Sequence, residues 1–133
     1  MLRKMMRAKI HRATITHCDP DYVGSITIDA RLLRAAGIRP NEAVLVLDLD
    51  NAARFETYVI RGEEGTGVIG INGAAARLVA PGHRVIVISF GLLTEDRLDQ
   101  HRATVVLCDD RNAVDRTLIY GSTLEAQDTD PTH

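Results

Sequence analysis

Four short groups of residues in this 133-residue chain have the types and spacing to do chemistry. The first is Gly24-Ser25. A serine after a flexible glycine in a strained loop can attack the carbonyl before it, so that its oxygen replaces the peptide nitrogen and an amide becomes an ester. β-Elimination of that ester breaks the chain and leaves a dehydroalanine, which hydrolyses to a pyruvoyl group capping the new amino terminus. The second group is Arg54, Thr57 and Tyr58 on one expected strand, where Arg54 and Tyr58 share a face and Thr57 points to the other. An arginine fork suits a bidentate carboxylate, and a tyrosine hydroxyl can give a proton. Third, Lys9 and His11 sit two apart and make a cationic strand face. Fourth, Asn72-Gly73-Ala74-Ala75-Ala76 places small residues after a strand, where backbone amides can bind an anion or a carboxylate.

Each group also has an ordinary structural explanation. Gly-Ser is common loop composition. Lys9, His11 and Arg54 suit a wet strand face, with Tyr58 half-buried beside them. Residues 72–76 suit a turn followed by good helix formers. Two further patterns point away from chemistry. Gly62 to Gly67 is glycine-rich, but Glu63 and Glu64 would repel a phosphate and the Lys-Ser/Thr ending of a phosphate loop is missing. His11, His17 and Cys18 lie close in sequence without paired ligands at zinc spacing, so no metal is expected.

The elements that must position these groups are short. A strand is expected over 5–17, then a loop over Cys18 to Gly24 and a strand over Ser25 to Ile28. Asp29 reads as the N-cap of a helix over Ala30 to Ala36, stopped by Gly37 in a left-handed conformation. Ala43 to Leu49 and Arg54 to Ile60 read as a hairpin. Val68 to Ile71 is a strand, and Ala74 to Val79 one or two helical turns before Pro81-Gly82. The apolar run Val85 to Phe90 suggests a strand buried on both faces. Ala103 to Cys108 and an edge strand over Arg116 to Tyr120 complete the set. Many short strands with small helices between them imply a mainly β barrel, a closure that removes exposed sheet edges. A single domain over 1–120 is expected, with a polar flexible tail over 121–133.

Composition bounds the rest. The formal charge is −2, which gives no cationic footprint for nucleic acid or a membrane surface. Hydrophobic residues make up 45%, enough to bury a core, but aromatics only 4%, so that core must be aliphatic and base-stacking platforms are excluded. Cys18 and Cys108 are too few for a disulfide framework and suit a reducing compartment. The basic amino terminus has no apolar stretch of signal-peptide type after it, and the longest apolar run, Val85 to Leu93, is far short of a membrane helix. A cytoplasmic protein is expected.

Taken together and in order, these groups resemble the pyruvoyl-dependent aspartate 1-decarboxylase family. The resemblance rests on Met6-Arg7-Ala8-Lys9-Ile10-His11-Arg12-Ala13, Tyr22-Val23-Gly24-Ser25, Ile28-Asp29, Ala35-Ala36-Gly37-Ile38, Asn41-Glu42, Arg54-Phe55-Glu56-Thr57-Tyr58 and Asn72-Gly73-Ala74-Ala75-Ala76. It covers roughly residues 1–90, while the chain after about residue 91 is less diagnostic. It implies a double-psi β-barrel, assembled as a homotetramer with active sites between neighbouring subunits. It also implies a zymogen that cleaves itself at Gly24–Ser25 into 1–24 and 25–133, with Ser25 becoming a covalent pyruvoyl group; neither a metal nor pyridoxal phosphate is implied. The activity implied is lyase chemistry, decarboxylation of L-aspartate to β-alanine and CO2 through a Schiff base, which supplies β-alanine for pantothenate and coenzyme A synthesis. By the same resemblance Tyr58 matches the proton donor, and Thr57 the residue that polarises the Gly24 carbonyl and lies beside the substrate. Arg54 and Lys9 match positions that hold the carboxylates. The backbone of Gly73, Ala74 and Ala75 matches the substrate-binding turn, and Asn72, His11 and Tyr22 line the pocket. A need for a maturation factor is left open. The alternative is a non-catalytic small β-barrel serving as a binding or regulatory module.

Overall fold

A computed structural model describes residues 1–126. The strands are β1 (Leu2–Thr14), β2 (His17–Asp19), β3 (Ser25–Asp29), β4 (Ala43–Asp48), β5 (Arg54–Gly62), β6 (Ile69–Asn72), β7 (Arg84–Thr94), β8 (Arg102–Cys108) and β9 (Val114–Gly121). One α-helix, α1 (Ala30–Ala36), follows β3, and 3-10 turns cover Gly73–Arg77 and Glu95–Gln100. The strands form one 9-stranded sheet in the order β2-β6-β3-β5-β4-β7-β1-β8-β9.

That order hides a ring. Only Ile15 and Thr16 separate β1 from β2, so the chain passes from one region of the sheet to its far end without a detour. Ile15 accepts from the amide of Gly82 (2.8 Å) and donates to His83 (2.9 Å), just before β7. Thr16 clasps β6: its amide donates to the Ile69 carbonyl (2.8 Å), and its hydroxyl donates to that carbonyl (3.0 Å) and accepts from the Ile69 amide (3.0 Å). The sheet therefore closes on itself, leaving β8 and β9 as an appended pair outside the ring. Within the ring β2 pairs with β6 and β3 with β5 in parallel, β1 pairs in parallel with the appended β8, and the other ladders are antiparallel. This is the mainly β, single-domain double-psi barrel that the resemblance implies.

Alternation of side chains fills the interior. Ile10, Ile26, Val46, Val59, Ile71 and Val87 are fully buried, an aliphatic core as the scarcity of aromatics demands. Each contributes about 1.5–3 kcal/mol by leaving water.

Polar groups brace this core where the chain turns. The Asp29 side chain, completely buried, caps α1 through the Arg31 amide (2.8 Å). It also takes the amides of Gly67 (2.8 Å) and Gly65 (3.3 Å), tying the glycine-rich 62–67 turn to the helix. Burial alone would raise its pKa, but these amides and the Arg31 guanidinium outweigh it and hold the carboxyl below its usual range. Gly37 closes α1 at φ 71°, as expected.

Several expectations need correction. The first strand starts at Leu2 and ends at Thr14; His17 belongs to a second strand, and Cys18 and Asp19 continue it rather than forming loop because they pair in parallel with β6. β7 is not buried on both faces. Val85, Val87 and Ser89 point inward while Arg84, Ile86 and Ile88 are half-exposed, since the outer face of the ring lacks a covering layer there. The helical turns expected over 74–79 are a 3-10 turn over Gly73–Arg77. The hairpin β4–β5, the Ser25 strand, α1 and the edge strand β9 stand close to where they were expected. Of the tail, Gly121 still belongs to β9, and residues 127–133 lie outside the described residues.

Candidate active site

Ser25 is the first residue of β3, and the antiparallel ladder with β6 sets it opposite Asn72. Both are buried, Ser25 to 1% exposure and Asn72 to 6%. Asn72 Nδ2 donates to Ser25 Oγ at 2.8 Å and to Thr27 Oγ1 at 3.1 Å. A serine hydroxyl sequestered from water with a single amide donor on its oxygen is not ordinary loop composition. It is a hydroxyl held in one place.

The next residue after Asn72 presses on the linkage before Ser25. Gly73 has φ 78°, and a Cβ there would lie 2.6 Å from Gly24 Cα, 2.8 Å from Gly24 N and 3.2 Å from Tyr22 O. Only glycine lets the 72–76 turn approach so closely. Gly24 itself has no positive φ and nothing within 4 Å of an added Cβ. The expectation of a strained Gly24 backbone is therefore corrected: the residue that needs to be glycine for its conformation is Gly73, because the crowding lies on that side.

Thr57 and Tyr58 approach along β5. The parallel ladder pairs Ile26 with Val59, so the two residues before Val59 lead into the ladder as Gly24 and Ser25 do on β3. Thr57 is half-buried on the inner face and Tyr58 is 36% exposed on the outer face. A cleft of about 240 Å³ opens beside Asn72 and Thr27, lined also by His17, Asp19 and Tyr22. Gly70 makes room for the His17 ring, since a Cβ on it would lie 2.4 Å from His17 Nε2. Ala74 is exposed and Ala75 half-buried in the adjoining 3-10 turn.

Lys9, His11 and Arg54 are not brought to Ser25 within this chain. His11 pairs with Ile86, Ile86 with Leu47 and Leu47 with Arg54, so one outer row crosses four strands. Lys9 heads the next row, through Ile88 and Leu45 to Glu56. Arg54 stands four residues before Tyr58, about 13 Å along the strand. Among the described residues the side chains of Lys9 and Arg54 have no hydrogen-bond or ion-pair partner. His11 Nδ1 is buried without a partner. Burial first, then the charges of Lys9 and Arg12, lower the His11 pKa and favour the neutral ring.

Sequence reasoning missed Thr27, His17 and Asp19. Thr27 was findable, because it lies two residues beyond Ser25 on the same strand and must share its face. His17 and Asp19 were not, because β2 carries no strand signal of its own. A separate grouping, Asp48, Asp50 and His83, places one possible metal-ligand atom from each within 4.8 Å. Its atoms are already engaged: Asp48 Oδ1 accepts the amides of Asp50 (2.7 Å) and Asn51 (3.2 Å), and Oδ2 bonds His83 Nδ1 at 2.7 Å.

The sequence matches the family described as Aspartate decarboxylase over residues 1–115. A protein of Bacillus cereus (strain G9842) named aspartate 1-decarboxylase is 52% identical over 114 residues, covering 86% of this chain and 90% of that protein. One of the same name from Geobacillus sp. (strain WCH70) is 49% identical over 119 residues, covering 90% and 94%. Another, from Bacillus thuringiensis (strain Al Hakam), is 51% identical over 114 residues, covering 86% and 90%.

Proposed function

The chain belongs to the aspartate decarboxylase family, and from that premise we propose that it decarboxylates L-aspartate to β-alanine and CO2 after cutting itself between Gly24 and Ser25. The observation that carries this reading is the buried Ser25 Oγ with the Asn72 amide on it and the Gly73 turn packed against Gly24.

In the proposed maturation, Ser25 Oγ attacks the Gly24 carbonyl carbon as its proton leaves. The carbonyl carbon–nitrogen bond breaks, the proton goes to the released nitrogen, and an ester remains. Loss of the Ser25 α-proton then breaks the bond from Cβ to Oγ, and Gly24 departs as a carboxylate carrying Oγ. The dehydroalanine left at position 25 takes up water and releases ammonia, giving the pyruvoyl cap. Thr57, two residues before the Val59 that pairs with Ile26, polarises the carbonyl under attack.

The residues present fit such a cap. Asn72 supplies a donor, Gly73 leaves a space that any side chain would fill, and Tyr22 and Thr27 wall the cleft. When present, the cap supplies the electron sink for the pair released with CO2. The chain's own residues do the rest. The backbone of Gly73, Ala74 and Ala75 receives the substrate, and Tyr58 delivers a proton to its α-carbon. Arg54 and Lys9 hold carboxylates, and the fork of Arg54 fixes the substrate so that the scissile bond is aligned.

Lys9, His11 and Arg54 lie on an outer sheet face with half-exposed Ile86, Ile88, Leu45 and Leu47 between them. That apolar, cationic face suits a neighbouring copy whose Ser25 cleft it completes. The assembly is proposed as a homotetramer, in the cytoplasm. Among the described residues no helix is long and apolar enough to cross a membrane.

The test is intact-mass analysis of the purified protein together with an assay for β-alanine from aspartate. Two pieces meeting at residue 24, with a keto cap on the second and β-alanine formed, are expected. A chain that stays whole and makes no β-alanine refutes the reading in favour of a binding module.

A further inference from the structure

Asn72 can favour cleavage only if its amide is aimed. One hydrogen of Nδ2 goes to Ser25 Oγ and the other to Thr27 Oγ1. With both taken, the amide plane cannot rotate about its Cβ–Cγ bond without losing two bonds, one of them to the buried Ser25 hydroxyl. We propose that Thr27 is a positioning residue for self-cleavage: by accepting the second Nδ2 hydrogen it holds the Asn72 amide at the angle that keeps the first on Ser25 Oγ. This rests on the maturation proposed above.

The chemistry gives that angle its importance. Negative charge develops on Oγ twice. It appears first as the serine proton leaves and the oxygen attacks. It appears again in the elimination, when the bond from Cβ to Oγ breaks and Oγ departs as part of the Gly24 carboxylate. A donor already pointed at Oγ stabilises both events with no reorganisation at the moment of reaction. Thr27 reaches Asn72 because residues two apart on β3 share a face and β6 runs beside it, Ser25 opposite Asn72 and Thr27 opposite Gly70. Gly70 carries no side chain to intrude between them.

The test compares Thr27→Val, which keeps the shape and removes the acceptor, with Thr27→Ser, which keeps the acceptor and removes a methyl. Uncut protein is isolated early, and the loss of full-length chain is followed by denaturing gel and intact mass, with thermal melting run in parallel. Thr27→Val is expected to cleave about tenfold more slowly, and Thr27→Ser within about threefold of the unmodified chain. Melting temperatures should not follow that order, which a merely structural role would require. Should the valine variant fail to fold, Thr27→Ala replaces it with the same expected slowing. Cleavage of Thr27→Val at the unmodified rate, or of Thr27→Ser as slowly as the valine variant, overturns the positioning role alone. Failure of the unmodified chain to cleave overturns the maturation it rests on, and the role with it.

Discussion

Replacing Gly73 by alanine should arrest maturation while leaving the protein folded. The added Cβ meets Gly24 Cα at 2.6 Å and Gly24 N at 2.8 Å, whereas ordinary contact begins near 3.4 Å. Backbone must move by about 0.8 Å to relieve the closer clash, and the backbone in the way is Gly24, whose carbonyl is the one under attack in the proposed maturation. Two costs add. An L-residue held at φ 78° costs about 1–2 kcal/mol, and over-packing against backbone about 1–3 kcal/mol more. A loss of about 2–5 kcal/mol lowers the melting temperature by roughly 8–20 °C for a chain of this size. The effect on cleavage should be larger, because a displacement near 1 Å between reacting atoms can cost about a hundredfold in rate. Time courses of intact mass on freshly purified Gly73→Ala, beside a thermal melt, measure both. Gly24→Ala is the control, since its Cβ meets nothing within 4 Å and its φ is ordinary; its melting temperature should stay within about 2 °C of the unmodified chain. Full-speed cleavage by Gly73→Ala, or a melting loss for Gly24→Ala as large as for Gly73→Ala, refutes the idea that the crowding lies on the Gly73 side.

Tyr58→Phe should mature normally yet lose about a hundredfold or more in β-alanine formation, since it removes only the proton donor; an unchanged turnover removes Tyr58 from that role. Asp29→Asn should cost about 1–3 kcal/mol in denaturant unfolding at neutral pH, because Oδ2 can no longer accept from Gly67 and Arg31. The Asp29 pKa is lower folded than unfolded, so its contribution is complete above about 3.8 and is lost as pH falls through the folded value. The asparagine variant should accordingly show a flatter loss of stability below pH 4, and parallel acid profiles would exclude this. Burial, with Asp109 adding to it, pushes the Cys108 thiol up to about 12 from 9.0, leaving about a thousandfold less thiolate near pH 8. Cys108 should resist iodoacetamide until the chain is unfolded, which peptide mapping reads directly.

Local elements were legible because short-range chemistry sets them. Asp29 followed by Ala30 to Ala36 and Gly37 specifies a capped helix through backbone conformation and one side-chain acceptor, whatever surrounds it. The β4–β5 hairpin and the Ser25 strand announce themselves by alternation and turn residues. The residue blocks around Ser25, Tyr58 and Asn72 likewise identified the family, because they are recognisable as a linear order of residue types. The nature of the core followed from composition alone.

Pairing across long separations decided everything else. Ser25 and Asn72 lie 47 residues apart, and nothing near either residue says that an amide will meet that hydroxyl. β2 pairs with β6 beside the Thr16 clasp, so Cys18 and Asp19 look like loop until the ring closes. The demand for glycine at position 73 comes from Gly24 and Tyr22 packed against it, not from its own neighbours in sequence. Lys9 ends away from Ser25 because strand order sets β4, β5 and β7 between β1 and β3, and Arg54 because it stands at the far end of β5 on its outer face. Residue types and local spacing thus determined what chemistry was available, whereas the register of the barrel determined which groups could act together. Hydrogen-bond ladders between distant strands are chosen by how the whole aliphatic interior packs, and no short stretch of chain contains that information.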